Sequence, residues 1–208
     1  MSDNAKDLLS LPVSRFIEAV AAKTPTPGGG SVAGVVGALA VALAEMSLNF
    51  TRGKKKYAKH EEFYAHLAGR LAKMRQMFQD LLADDASAYQ LYQDTAKQQD
   101  GPDKEAAMQL AIAAAIDVPR EATKLALAML DDLLEFSDKC SKFLASDLAA
   151  AAALAVATAR LSDYNVRINV PNVSERAAAE EIRRSSADDV QRAKASLKAI
   201  EEALKDNL

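Results

Sequence analysis

Residues 24–50 read TPTPGGGSVAGVVGALAVALAEMSLNF. Pro25 and Pro27 forbid continuation of any preceding helix, three glycines leave the backbone bare, and Ser31 opens a run in which Glu45 is the only charge. Apolar residues occupy nearly every face at helical spacing, which predicts a helix from Ser31 to about Thr51 placed at the centre of the fold. Gly34, Gly37 and the alanines let neighbouring helices approach closely, at a cost in helix propensity.

Outward from this stretch the spacing stays helical. A first helix is predicted from Ser14, as N-cap, to about Lys23. After RGKKKY, a third runs from about His60 to Lys97. Its apolar seam steps through Leu67, Leu71, Met74, Phe78, Leu81/Leu82, Asp85, Tyr89 and Tyr92. Pro102 opens the next helix, and Pro119 ends or kinks it before ATKLALAMLDDLLEF. KFLASDLAAAAALAVATARL repeats the character of residues 31–51. NVRINVPNV, with β-branched residues and Pro171, is predicted to be extended, and Ser174 to cap a last amphipathic helix. The expectation is an all-α, single-domain bundle over residues 1–208, with about six to eight helices, two of them long, alanine-rich and buried. Two helices apolar all round are hard to cover in a chain this size, which predicts a symmetric homodimer.

Composition narrows the functions. Hydrophobic residues make up 50% of the 208, yet aromatics are 5% and Trp is absent, so close backbone packing replaces large side chains. A formal charge of −3 argues against a nucleic-acid partner. One cysteine, Cys140, excludes an intramolecular disulfide. The amino terminus carries early acids and no apolar signal core, and the Val32–Leu48 run falls short of the usual span of ~18–20 residues. A cytoplasmic protein with no membrane partner is expected.

Several residues carry candidate chemistry. Gly28, Gly29, Gly30 and Ser31 lack the Lys-Ser/Thr pair of a phosphate loop, and no strand precedes them as a dinucleotide fold requires. Helix-start N–H groups meeting a ligand remain open, and so does a tight turn feeding a crowded helix. Asp85 lies on the buried seam of its helix, where a carboxylate must find a partner or a use; capping a neighbouring helix is the structural alternative. Asp147 is the only acid between Phe143 and Leu161, and either faces a ligand or restarts a helix. Lys54, Lys55, Lys56 and Tyr57 form a basic corner that either complements a helix C-terminus or holds a carboxylate. Asn165 and Asn169 share a face of the predicted extended segment. No metal site is expected: His60 and His66 are six apart and cannot pair on one helix face.

In order, VSRFIEAVAAKTPTPGGGSVAGVVGALAVALAEMSLNFTRGKKKY, LLADDASAY, DVPREATKLA, SDLAAAAALAVATARL and NVRINVPNV resemble the cyclodeaminase/cyclohydrolase family of folate enzymes across about residues 13–175. The resemblance implies an all-helical homodimer that binds tetrahydrofolate derivatives, polyglutamylated ones included, near the subunit interface, with no cofactor beyond the folate. It implies either hydrolysis of 5,10-methenyltetrahydrofolate to 10-formyltetrahydrofolate or closure of 5-formiminotetrahydrofolate with loss of ammonia. A chain without a formiminotransferase partner, and the GKKKY form of the corner, favour the first. The family's catalytic acid falls on Asp85, the residue that helix phase also singles out. The glycine turn is expected to lie against the folate, Lys54–Lys56 to attract its glutamate carboxylates, and Asp147, Asn165 or Asn169 to meet the pterin edge. Leu148, where the family has small residues, and Ser162, Asp163 and Tyr164 before Asn165 depart from the family pattern.

Overall fold

The computed structural model describes residues 8–208; the first seven positions, on which part of the amino-terminal reading rests, lie outside it. Six α-helices follow in order: α1 Val13–Ala21, α2 Gly29–Thr51, α3 Glu61–Ala96, α4 Pro102–Ser137, α5 Ala145–Asn169 and α6 Arg176–Leu204. Short 3-10 turns join several of them, and no strand occurs among the described residues.

α2 and α5 form the centre. α2 packs on α3 and α5, α4 on α3 and α5, and α6 closes the bundle against α4 and α5. Ala40, Val41 and Ala44 of α2 and Ala151, Ala152 and Ala155 of α5 are completely buried. By length and apolarity, α2 and the Lys142–Asn172 stretch would each suffice to cross a bilayer; here both supply the bundle core. Gly37 shows why α2 spends helix propensity on glycine. A Cβ there would stand 2.5 Å from the ring of buried Phe78 on α3.

α3 matches its predicted limits closely. α4 starts at Pro102 as expected but does not end at Pro119; it continues through the proline to Ser137, 36 residues in all. The missing N–H leaves the carbonyl of Ala115, four residues back, without its helical donor. Other expectations are corrected. Ser14 and Ser174 cap nothing: α1 starts after Pro12, and α6 after Glu175, with no side-chain cap at either. NVRINVPNV is not extended. Helix α5 continues to Asn169, and Val170–Asn172 form a 3-10 turn with Pro171 in its first positions. Fully buried Val166 and Val170 pack against Ile112 and Ile116 of α4, and that burial overrides the β preference of the branched residues. α1 has no buried residue and leaves Val13 and Ile17 exposed, at 77% and 61%.

Candidate functional site

α2 begins at Gly29, two residues earlier than predicted, with Gly28 as its extended N-cap. The glycines therefore form the first helical turn. Opposite that turn, α3 presents Asp85. The hydroxyl of Ser31 donates to Asp85 Oδ2 at 2.9 Å, and the Ser31 backbone N–H also donates to the carboxylate. Asp85 thus caps the N-terminus of α2 from outside that helix, where free N–H groups and the helix dipole favour negative charge. The approach is close: a Cβ on Gly30 would lie 1.9 Å from Asp85 Oδ1 and 2.4 Å from Cγ. Only glycine leaves room for the carboxylate.

Burial raises the Asp85 carboxyl above its ordinary pKa, and the two Ser31 hydrogen bonds work against that shift without cancelling it. The inward-facing acids elsewhere are held differently. Asp132 meets Arg70 at 2.9 Å, Asp189 is shared by Lys124 and Arg192, and Asp163 meets Arg167 at 2.8 Å. No ion pair reaches Asp85 among the described residues. It is half-buried, bonded to neutral donors only, and open to a cleft.

That cleft has a volume of about 380 Å³, within the usual range for small-molecule sites. Asp85, Tyr89 and Tyr92 line it from α3, Val118 from α4, and Asn165 and Asn169 from α5. The two asparagines share this wall through the i, i+4 spacing of a helix rather than through strand alternation. Their side-chain amides turn back to the helix: Asn165 Nδ2 donates to Leu161 O at 2.9 Å, and Asn169 Nδ2 to Asn165 O at 2.9 Å. Asn169 Nδ2 also reaches Ala115 O at 3.4 Å, the carbonyl that Pro119 leaves without a donor. One side chain thus satisfies the gap in α4 and lines the cleft. Asn169→Ala is expected to lower stability by about 1 kcal/mol, since the Ala115 acceptor it leaves is only partly buried. In a Pro119→Ala background, where position 119 regains its N–H, the loss in denaturant titrations should be smaller.

The remaining predicted residues lie elsewhere. Lys54–Tyr57 follow the C-terminus of α2, and Asp147 stands in the first turn of α5. Thr51 Oγ1 accepts from the Ser141 N–H at 3.0 Å, which joins these two helix ends. Lys54 Nζ donates to Ser141 Oγ at 3.2 Å, and Lys56 stands over the Tyr57 ring. This is the far end of the bundle. The 23 residues of α2 separate it from Asp85 by roughly 34 Å. Within one chain the structure therefore joins Asp85, the glycine turn, Ser31, Asn165 and Asn169, and does not join Lys54, Lys55, Lys56, Tyr57 or Asp147 to them. Cys140 also lies at the far end, where burial pushes its thiol up to about 11 and keeps it protonated.

Sequence reasoning missed the link from Pro119 to Asn169. A signal was present: a proline inside an apolar helical pattern implies an unpaired carbonyl four residues back, which needs a donor. Tyr89 and Tyr92 were visible as seam residues beside Asp85, but not as a cleft wall.

Comparisons with known proteins match this chain over most of its length. The sequence profile of the formiminotransferase-cyclodeaminase family matches residues 12–188. A methenyltetrahydrofolate cyclohydrolase of Methylorubrum extorquens is 30% identical over 174 residues, 81% of this chain and 84% of that protein. A formimidoyltransferase-cyclodeaminase of Dictyostelium discoideum is 26% identical over 141 residues; the match takes in 68% of this chain and 26% of that longer protein. The crystal structure of a formiminotetrahydrofolate cyclodeaminase from Thermotoga maritima superposes with a TM-score of 0.82 at 30% identity, covering 97% of each chain.

Proposed function

Because the chain belongs to the formiminotransferase-cyclodeaminase family, we propose that it is a methenyltetrahydrofolate cyclohydrolase with Asp85 as its proton carrier. The observation behind this reading is a carboxylate raised by burial, held by neutral donors without an ion pair, and facing a cleft of about 380 Å³. A carboxyl raised in this way and open to a cleft is suited to act as a general acid–base group.

The chemistry uses that proton twice. Water attacks the carbon between N5 and N10 of the cationic methenyl group, and Asp85 accepts a proton as the C–O bond forms. The C–N5 bond then breaks, N5 receives the proton from Asp85, and the hydroxyl proton leaves to solvent as the formyl C=O forms. One water is consumed and one proton released. The carboxylate also offsets the positive charge of the bound substrate. The side-chain oxygens of Asn165 and Asn169 supply acceptors for the N–H groups of a pterin, since their amides donate to the backbone. No further cofactor is required by these steps.

Cyclodeamination is the second reading, because it needs the same proton transfer at the same carbon. The deciding experiment offers each folate to the pure protein in chelator-treated buffer. Loss of methenyl absorbance with formation of 10-formyltetrahydrofolate is expected. Ammonia release from 5-formiminotetrahydrofolate as the faster reaction would reverse the order, and turnover of neither would reject both.

The protein is further proposed to act as a homodimer in the cytoplasm. No residue of the amphipathic α1 is buried among the described residues, and Leu39 and Phe50 of α2 are 57% and 59% exposed. If Lys54–Lys56 do hold glutamate carboxylates, they must do so for a folate seated on a second copy. Light scattering should give twice the chain mass of 22.2 kDa, and Ile17→Asp should shift it toward the monomer. A monomeric wild type would discard the dimer and this role for the lysines.

A further inference from the structure

Beneath the cleft lies a second, much smaller recess. Gly30, Leu81, Asp85, Val118, Pro119 and Ser162 contribute to its walls. Asp85 and Val118 belong to both spaces and divide one from the other. The recess measures about 10 Å³, at the lower limit of the ~10–15 Å³ that one water molecule needs on the same measure.

Ser162 is the unusual member. It is fully buried in α5, and its Oγ is the one buried side-chain oxygen or nitrogen without a hydrogen-bond partner among the described residues. Other helical hydroxyls here return to the carbonyl four residues back: Ser47 to Leu43, Thr123 to Pro119, Ser137 to Leu133 and Thr158 to Leu154. That option is open to any helical serine. Ser162 does not take it, and lines the recess instead. A buried hydroxyl left without a partner is costly, so its orientation calls for a partner inside the recess. Asp85 makes no hydrogen bond to it, and the space between them suits one small molecule with both donor and acceptor character.

We propose that Ser162 holds a single water molecule in this recess, and that the water donates a hydrogen bond to the Asp85 carboxylate from its buried side. Ser31 and the water then grip the carboxylate from within the protein, leaving its remaining lone pairs to the cleft. Ser162 is a positioning residue: it touches no substrate and acts through the water on the protonation of Asp85. Its mechanistic meaning rests on the proposed role of Asp85 in proton transfer; the water site itself does not.

The test is a carboxyl-carbon NMR titration of Asp85 in the ligand-free protein, with the signal assigned by its loss in Asp85→Asn. Ser162→Ala removes the hydroxyl, and Ser162→Val also fills the space. Removing a donor to the charged form should raise the Asp85 midpoint by about half a unit to one unit, and the acid limb of kcat/KM should move with it. A near-atomic crystal structure of the wild type should show the water within hydrogen-bonding distance of both Ser162 Oγ and Asp85. If Ser162→Val does not fold, the alanine titration and the wild-type density still decide. An unchanged midpoint in Ser162→Ala, or a dry recess in the wild type, overturns the proposal. Turnover retained by Asp85→Asn would sink the catalytic assignment and leave the NMR result on the water intact.

Discussion

Gly30→Ala is expected to lose at least about 100-fold in kcat/KM, although it adds one methyl group. The added carbon would occupy the position of the Asp85 carboxylate, 1.9 Å from Oδ1 and 2.8 Å from Oδ2. Gly30 lies in the first turn of a helix that is buried a few residues further on, so the backbone has little freedom to retreat. The carboxylate must swing away, its bonds to Ser31 are lost, and a displacement near 1 Å at a reacting group costs on the order of 100-fold. Crowding adds about 1–3 kcal/mol of instability, visible as a lower melting temperature. Gly29→Ala is the informative comparison, since its Cβ would meet nothing closer than 3.5 Å, at Asn165 Nδ2. It should lose far less activity. Equal losses at the two positions would show that the glycines matter for something other than room for Asp85.

Asp85→Asn is expected to reduce turnover by about 100- to 10,000-fold, the usual contribution of a positioned acid–base group, while making the fold more heat-resistant at neutral pH. The second half follows from the direction of the pKa shift. Burial raises the native carboxyl above 3.8, even with both Ser31 hydrogen bonds in place. Between 3.8 and the native value the folded protein holds more protons at this site than the unfolded chain. Stability therefore falls as pH rises through that window, and stays lower above it. Asparagine keeps an acceptor for Ser31 and carries no charge to desolvate. The melting temperature of Asp85→Asn should exceed that of the wild type at pH 7, and the gap should close below pH 3.8. An active Asp85→Asn protein would dismiss the catalytic assignment. An inactive variant with no stability gain at pH 7 would show that the charge costs the fold nothing.

The helices were legible in the sequence because their signals are local. The all-round apolarity of residues 31–51 and the three-and-four spacing that runs through Asp85 each need only a dozen neighbouring residues to be read. Asp85 itself stood out because a carboxylate on an apolar seam is costly wherever the other helices lie. Asn165–Asn172 misled for the opposite reason. Branched residues and a proline suggest extended chain, yet Val166 and Val170 are held helical by α4, more than fifty positions earlier in the sequence. The distance of the basic corner from Asp85 within one chain was not legible, because proximity along the sequence says nothing about which end of a long helix a loop occupies. Ser162 was visible only as a departure from a family pattern; which way its hydroxyl turns depends on three helices at once.

The pairings between charged side chains carry a consequence for how these helices find their places. Alanine-rich surfaces are smooth, and apart from close fits such as Phe78 against Gly37 they resist a slide of one turn, about 5.4 Å, only weakly. Glu45 on α2 meets Arg75 on α3 at 2.7 Å, Asp132 on α4 meets Arg70 on α3, and Ser186 on α6 donates to Asp163 on α5 at 2.8 Å. A slide would strand such acids, at roughly 3–5 kcal/mol for a buried one. Like marks on a vernier scale, they select one axial register from several of similar packing energy. The Glu45–Arg75 mark sits on the two helices that bring Gly30 opposite Asp85, so a surface-facing ion pair well away from the cleft adds to the fit of Phe78 against Gly37 in aligning the proton carrier.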